Sequence, residues 1–382
     1  MYASFHALFI FFTIVNFIYF LYIAIHVVGW ISLPVSLLSN FTPKTKITVV
    51  ISARNEEGTI QKCLNAISAQ TYPATLIEII VVDDHSSDKT KEVAEKTLSQ
   101  INIVSKCISK LESIHGKKSA ITEAIKNSSG ELIVVTDADC WSNNKWLSTI
   151  EAEYQKSGAY MLYGPVQIIC GNSFLERFQS LELDGFSLLS GAGLKIGVPL
   201  LCSGANIAYT RKLFNDVEGF KGIDNNPTGD DVLLMFKVHK KYPNKISFVK
   251  SRDALVSTSA HSSLNGFLLQ RIRWGSKGLY SKNFANSFVS ILVFSSNLFS
   301  VIAILVMLVW IKLYPILMLA LGIKVVADLL LLFCATHFFN REKRLWIFPV
   351  AELVTMLYIS CVGMASNFLS YSWKGRQYKR PV

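Results

Sequence analysis

Three short runs in this chain place carboxylates where two can act together. "TDADC" (136–140) puts Asp137 and Asp139 two residues apart at the end of a β-branched run. A hard divalent cation takes carboxylate oxygens and shares its remaining positions with phosphates. The pair is thus a candidate site for such a cation, with Asp139 as the direct ligand; the competing reading is that both residues cap the next helix. "VVDDHSSD" (81–88) offers Asp83 and Asp84 as acceptors for a nucleobase or ribose, and a turn followed by an N-cap at Asp88 accounts for the same residues. "PTGDDVLLMFKV" (227–238) opens an amphipathic run with Asp230 and Asp231. Acidic residues at a helix N-terminus are ordinary dipole chemistry, whereas the functional reading makes Asp231 a general base.

Other runs are candidates to bind what these carboxylates act on. "SARNEE" (52–57), with Ala53, Arg54, Asn55 and Glu56, lies one strand over from Asp83 and frames the same pocket. "HGKKSA" (115–120) starts a helix with a glycine and two lysines: Lys117 is a partner for a diphosphate, or the run is a solvated basic turn. "LCSGANIAYTR" (201–211) is a loop of small residues, among them Gly204, Ala205 and Asn206, suited to close approach by a ligand. In "LLQRIRWGSKG" (268–278), Gln270, Arg273 and Trp274 fall at i, i+3 and i+4 and share one face of a helix. That face is either an aromatic-basic anchor at lipid headgroups or a grip on something anionic and flat.

The elements that must position these residues are short. "KITVVISA" (46–53), "IEIIVVDD" (77–84), "INIVSK" (101–106) and "ELIVVTDAD" (131–139) read as buried parallel strands. The segments between them have helical spacing and caps. Alternating strand and helix predicts an α/β domain with a mostly parallel sheet, in which ligands bind beyond the carboxyl ends of the strands. No G-x-G-x-x-G follows the first strand and no P-loop occurs, so a dinucleotide fold of the usual type is excluded.

Around this middle the chain is apolar. Of 382 residues 51% are hydrophobic, and the mean hydropathy is +0.36. Residues 1–43 and 283–311 carry no Asp, Glu, Lys or Arg, and further apolar runs follow at about 313–340 and 345–373. A hydrocarbon core of roughly 30 Å needs about 20 helical residues, which predicts one membrane helix in 1–43, a soluble domain at 44–282 ending in an interfacial helix, about three membrane helices in 283–373, and a basic tail at 374–382. The first run lacks a basic n-region and is longer than an ordinary signal-peptide core, so it is read as a retained helix. Within the later runs, Lys324 and Asp328 fall at i, i+4 and can pair; they and Glu352 serve either packing or an acceptor path. Net charge is +11, which suits an anionic membrane surface or phosphorylated ligands. Lys and Arg beside membrane helices mark the cytoplasmic side. With a cytoplasmic middle domain, "NREKR" (340–344) falls inside and the tail outside, unless one run is re-entrant or interfacial. Seven cysteines, never spaced C-x-x-C, fit a reducing compartment and argue against a disulfide framework or zinc site.

Taken in order, "ARNEE", "DDHSSD", "DAD", "SGAN", "GDD" and "QRIRW" between membrane helices resemble the membrane-bound family 2 glycosyltransferases, which include cellulose, chitin and hyaluronan synthases and ceramide glucosyltransferase. The resemblance covers about residues 46–280, and Q-x-x-R-W is its most specific motif. It implies a GT-A nucleotide-sugar fold and inversion at the anomeric carbon. Asp83 and Asp84 then bind the nucleoside, Asp137 and Asp139 hold Mg or Mn against the diphosphate, and Asp230 and Asp231 form the catalytic pair, with Asp230 where glutamate is commoner. Gln270, Arg273 and Trp274 fall at the acceptor and diphosphate end, where Arg273 would fork a diphosphate and Trp274 would stack on a sugar ring. The partners implied are a nucleotide-sugar donor, with a UDP-sugar the first expectation, a lipid or glycan acceptor, and the membrane, with no nucleic acid. The expected location is a cell inner membrane with the catalytic domain cytoplasmic. A processive synthase with a channel shared in a homo-oligomer, and a non-catalytic binder of nucleotide sugars, are the alternatives.

Overall fold

The computed structural model describes residues 2–38, 41–109, 116–224, 226, 228–276, 284–310, 314–368, 371–373 and 376–378. It divides into two compact units, one of residues 33–170 and 193–260, the other of residues 1–32, 171–192 and 261–382.

The first unit is the α/β domain. Its main sheet contains β1 (Ile47–Ala53), β2 (Ile77–Asp83), β3 (Val104–Ser109) and β4 (Leu132–Asp137), all parallel. Runs such as Ile-Thr-Val-Val-Ile are buried along their whole length between helical layers, and each fully buried Val or Ile contributes about 1.5–3 kcal/mol. Between these strands run α2 (Ile60–Ser68), α3 (Thr90–Leu98) and α4 (Lys117–Lys126). β3 starts three residues later than the sequence reading placed it, because the Ile101 N–H still closes on the Leu98 carbonyl (3.2 Å) at the end of α3. Beyond β4 come β5 (Trp141–Ser142), α5 (Trp146–Ser157), β6 (Met161–Tyr163) and β7 (Val166–Ile169). After residue 193 the unit resumes with β8 (Ile207–Thr210), α7 (Arg211–Asp216), α8 (Val232–Lys241), β9 (Ile246–Phe248) and β10 (Val256–Ser259). The main sheet runs β3-β2-β1-β4-β8-β6-β9, with β8 antiparallel to both neighbours, and β5-β10-β7 form a small second sheet. The carboxyl ends of β1, β2 and β4 meet at one edge, so Ala53, Asp83 and Asp137 come together from three separate runs.

The second unit holds α1 (Tyr2–Ser32), α6 (Phe174–Lys195, as far as Ala192), α9 (Leu264–Ser276), α10 (Phe284–Met307), α11 (Tyr314–Phe338) and α12 (Phe348–Phe368). Four segments of the described residues are long and apolar enough to cross a membrane: Phe9–Ser32, Phe284–Met307, Pro315–Phe338 and Glu342–Ser366. Two boundaries differ from the sequence reading. The first helix stops at Ser32 rather than near residue 43, since Pro34 cannot continue it. Residues 33–38 instead join the α/β unit, where Ser36 N–H donates to the Lys250 carbonyl (3.0 Å) and Lys250 Nζ to the Leu33 carbonyl (2.9 Å). The stretch 44–282 is likewise not one body: α6 and everything from His261 pack with the apolar helices, through aromatic contacts such as Phe178 with Phe267 and Tyr358. The tail at 374–382 lies outside the described residues except for a short strand at Arg376–Tyr378.

Candidate active site

Three motifs from distant parts of the α/β unit converge on one side chain. Lys117, the first residue of α4, places its Nζ 2.7 Å from Asp137 Oδ1 at the end of β4 and 3.0 Å from Asp230 Oδ2. Burial of the ammonium works against its charge, but Asp137, Asp230 and Asp231 outweigh that and raise its pKa well above the ordinary lysine value. Gly204 makes the approach possible: a Cβ there would lie 2.9 Å from Lys117 Nζ and 3.1 Å from Asp230 Oδ2. Its N–H donates to Asp231 Oδ2 (3.1 Å), while Asp231 Oδ1 accepts from Val232 N–H (2.7 Å) at the start of α8. Asp231 is therefore a helix cap and a member of the cluster at once. Gly229, with φ 77°, takes the chain through a left-handed turn into this pair.

Asp139 is exposed beside Asp137. Carboxylate oxygens of the two lie within 4.8 Å of one another and of Cys140 Sγ. Burial, with Asp139 and Asp137 nearby, pushes the Cys140 thiol well above its usual range, so it stays protonated and donates to Asp139 Oδ1 (3.4 Å). Hard oxygen ligands without a thiolate fit Mg or Mn, so Asp137 and Asp139 suit such an ion and Cys140 does not.

The ends of β1 and β2 are laced together. Arg54 Nη1 donates to the carbonyls of Asp84 (2.8 Å) and His85 (2.9 Å), and Asp84 N–H donates to the Ala53 carbonyl (2.8 Å). The Asp84 carboxylate accepts from Gly116 N–H (3.1 and 3.2 Å) at the head of α4. Asn55 sits at φ 51°, its N–H on Ser86 Oγ (3.0 Å) and its Oδ1 accepting from Ser87 N–H (2.9 Å). Glu56 holds the Thr90 hydroxyl through its N–H (2.7 Å) and accepts from the Thr59 hydroxyl (2.6 Å). These residues brace two loops against each other. Asp83 leaves an acceptor open: Oδ2 takes the Ser86 N–H (3.3 Å), and buried Oδ1 has no hydrogen-bond partner among the described residues.

Asn206 requires correction. It is 1% exposed, and its side chain accepts from Trp146 Nε1 (3.0 Å) and donates to the Pro165 (2.9 Å) and Ala254 (2.8 Å) carbonyls. It ties the start of β8 to α5 and to the turns before β7 and β10, and all three of these side-chain bonds are spent within the domain. Its neighbour Ala205 is buried as well, so of that loop Gly204 alone borders the carboxylates.

Gln270, Arg273 and Trp274 belong to the other unit, on α9, and the more buried arginine of that helix is one the sequence reading passed over. Arg271, 4% exposed, donates through Nε to Glu182 Oε2 on α6 (2.7 Å), with a second bond from Nη2, and Tyr358 on α12 donates to the other oxygen of Glu182. The Arg271 guanidinium lies over the rings of Phe267 (4.6 Å) and Trp274 (4.3 Å), and its Nη1 donates to Gln270 Oε1. One face of Trp274 is thus covered by Arg271. The signal was available: 267, 271 and 274 also share a helix face. Arg273 is half-buried in the last turn of α9. Lys118, whose partners are described below, was passed over in the same way.

Known proteins resemble this chain in sequence and in fold. Residues 48–218 fit the model of Glycosyl transferase family 2. Glycosyltransferase AglE of Haloferax volcanii is 32% identical over 136 residues, 35% of this chain and 44% of that protein. The probable glycosyltransferase YdaM of Bacillus subtilis is 29% identical over 209 residues, 52% of this chain and 48% of that one. The chain thus spans about half the length of these curated relatives. Mannosyltransferase PcManGT of Pyrobaculum calidifontis, solved in complex with GDP-Man and Mn2+, shares the fold with a TM-score of 0.54 at 15% identity, covering 93% of this chain and 95% of its own. Residues 48–218 thus match Glycosyl transferase family 2, and the α/β unit has a GT-A-like fold.

Proposed function

We propose that the chain is an inverting glycosyltransferase of a membrane, moving a sugar from a nucleoside-diphosphate sugar, with UDP-sugars the first choice, to a hydroxyl of a lipid or growing glycan. The observation that carries this is the Lys117 bridge, which brings Asp137 of one motif and Asp230 of another to a single cation. Asp231 removes the acceptor proton, its carboxylate aimed by the N–H groups of Gly204 and Val232. Lys117 meets the leaving diphosphate, and the open oxygen of Asp83 accepts from the base or ribose, within the frame set by Ala53, Arg54, Asn55, Glu56 and Asp84. Asp139 and Asp137 would hold the Mg or Mn, which supplies positive charge against the leaving group. The protein is multi-pass in a cell inner membrane, with the α/β domain cytoplasmic.

The test uses full-length protein in detergent with Mg or Mn, a panel of UDP- and GDP-sugars, and membrane lipids added or withheld. Lipid-dependent release of free nucleoside diphosphate with one donor is expected, and product size then separates glycolipid from polymer. Asp231→Asn should cut kcat by about 10²–10⁴-fold with donor binding near normal. Pyrophosphate release instead would mean nucleotidyl transfer, and wild-type-like turnover by Asp231→Asn would remove that residue from its role.

A further inference from the structure

A helix N-terminus favours anions, so two lysines in the first turn oppose the helix dipole. α4 nevertheless begins Lys117-Lys118, and each ammonium needs compensation. Lys117 finds it in Asp137 and Asp230. Lys118 turns the other way, and its Nζ donates to the backbone carbonyls of Ile223 (2.5 Å), Asn226 (2.7 Å) and Thr228 (3.0 Å). The residue is 8% exposed. A lysine ammonium carries three N–H donors, and three carbonyls of one loop stand within reach of them. Buried carbonyls need partners; Ile223 also accepts from Asn226 N–H (3.3 Å), and one buried cation supplies a donor to all three.

The loop leads directly to the reacting carboxylates. After Thr228 comes Gly229 in its left-handed conformation, then Asp230 and Asp231. A Cβ on Gly229 would meet Leu233 at 3.0 Å, so α8 confines the turn from the other side. The aspartate pair is thereby held twice from the head of α4, Lys117 gripping the Asp230 side chain and Lys118 the backbone just before it.

We propose that Lys118 is a positioning residue: its ammonium clamps the backbone at Ile223, Asn226 and Thr228 and so fixes the place of Asp230 and Asp231. The effect on turnover rests on the glycosyltransferase reading, whereas the clamp rests on the carbonyl geometry alone, and the test keeps the two apart. Hydrogen exchange is measured on the full-length protein in detergent, wild type against Lys118→Met, in peptides containing Thr228 to Asp231. Exchange there should quicken about tenfold or more, with the peptides of β1 and β2 unchanged. With the donor that supports wild-type turnover, kcat should fall about a hundredfold while donor KM stays within about threefold, as expected when a reacting group is displaced by about an ångström. Should Lys118→Met not accumulate folded, Lys118→Arg carries the same comparison. It keeps the charge, but a planar guanidinium cannot reproduce the ammonium's three converging bonds, so its changes should be smaller and in the same direction. Unchanged exchange overturns the clamp, and quickened exchange with unchanged kcat overturns the positioning role. If wild type turns over no donor, the glycosyltransferase reading fails while the exchange comparison still decides the clamp.

Discussion

At the scale of residues, the site is a balance of one cation against several carboxylates. Removing the cation tests it. Lys117→Met leaves Asp137 and Asp230 facing each other without the ammonium between them. A hydrogen bond to a charged group is worth about 1.5–3 kcal/mol, so donor KM should rise roughly ten- to a hundredfold in steady-state kinetics. The pH dependence has a definite sign. Burial lowers the Lys117 pKa, but Asp137 and Asp230 raise it further, and the net value lies well above the ordinary one. Its contribution to stability is therefore fully present below the unfolded lysine value and is lost only as pH rises through the folded one. The stability gap between wild type and Lys117→Met should stay constant from about pH 7 to about pH 10. A gap that closes within that window would mean the ammonium is not held as the geometry requires. The sequence located Asp137 at a strand end and Asp231 at a helix start, and both positions hold. Asn206 was read as facing a ligand and Arg271 was passed over for a common reason: burial decides their partners, and burial depends on segments far away in the chain.

At the scale of elements, the parallel strands have a working end and a structural end. Glu78 lies at the second, paired in register with Thr48 across β1 and β2. It is 2% exposed, and Oε2 accepts from the Thr48 hydroxyl (2.6 Å) and Ser129 N–H (2.7 Å). Burial raises its pKa, but the bonds from Thr48 and Ser129 overcome this and bring it below the ordinary glutamate value of 4.5. Such a group stabilises the fold above pH 4.5, and that contribution is lost as pH falls through the lowered folded value. Glu78→Gln should cost about 1–3 kcal/mol at neutral pH, with the difference from wild type shrinking below pH 4.5. Turnover should be unchanged, because ligands bind at the opposite ends of the strands. Chemical denaturation at several pH values, beside one activity measurement, checks both halves. β1, β2 and β4 could be read from their β-branched runs because such runs fit a buried sheet whatever lies around them. β3 is half-exposed and short of that signal, and its start slipped by three residues. The later strands β6 to β10 are three or four residues each and take their form from the sheet they join.

At the scale of the molecule, the apolar helices carry the charges that lipid cannot hold. Lys324 on α11 lies 2.8 Å from Asp328 Oδ2 and pairs also with Glu352 on α12, while Tyr19 of α1 donates to Asp328 Oδ1 (2.5 Å). Nearby, Asn16 Nδ2 donates to the Ala320 carbonyl (2.9 Å), and its Oδ1 accepts from Ser296 of α10 (2.8 Å). Composition alone located the four apolar segments, and the i, i+4 spacing of Lys324 and Asp328 foretold their pairing. The sequence could not supply Glu352 and Tyr19 as partners, since helix rotation about the axis is set by packing. This arrangement makes the polar cluster a clamp on α1, α11 and α12, and it can be broken from one side. Lys324 is fully buried, so Lys324→Met strands two carboxylates in a low-dielectric interior, a change that typically costs about 3–5 kcal/mol. Thermal unfolding in matched micelles should show a large fall in Tm for Lys324→Met. Adding Glu352→Gln removes one of the stranded charges and should restore part of the loss, a non-additive result that independent sites would not give. If Lys324→Met melts with wild type, the cluster is no clamp, and its charges must be balanced by something other than one another.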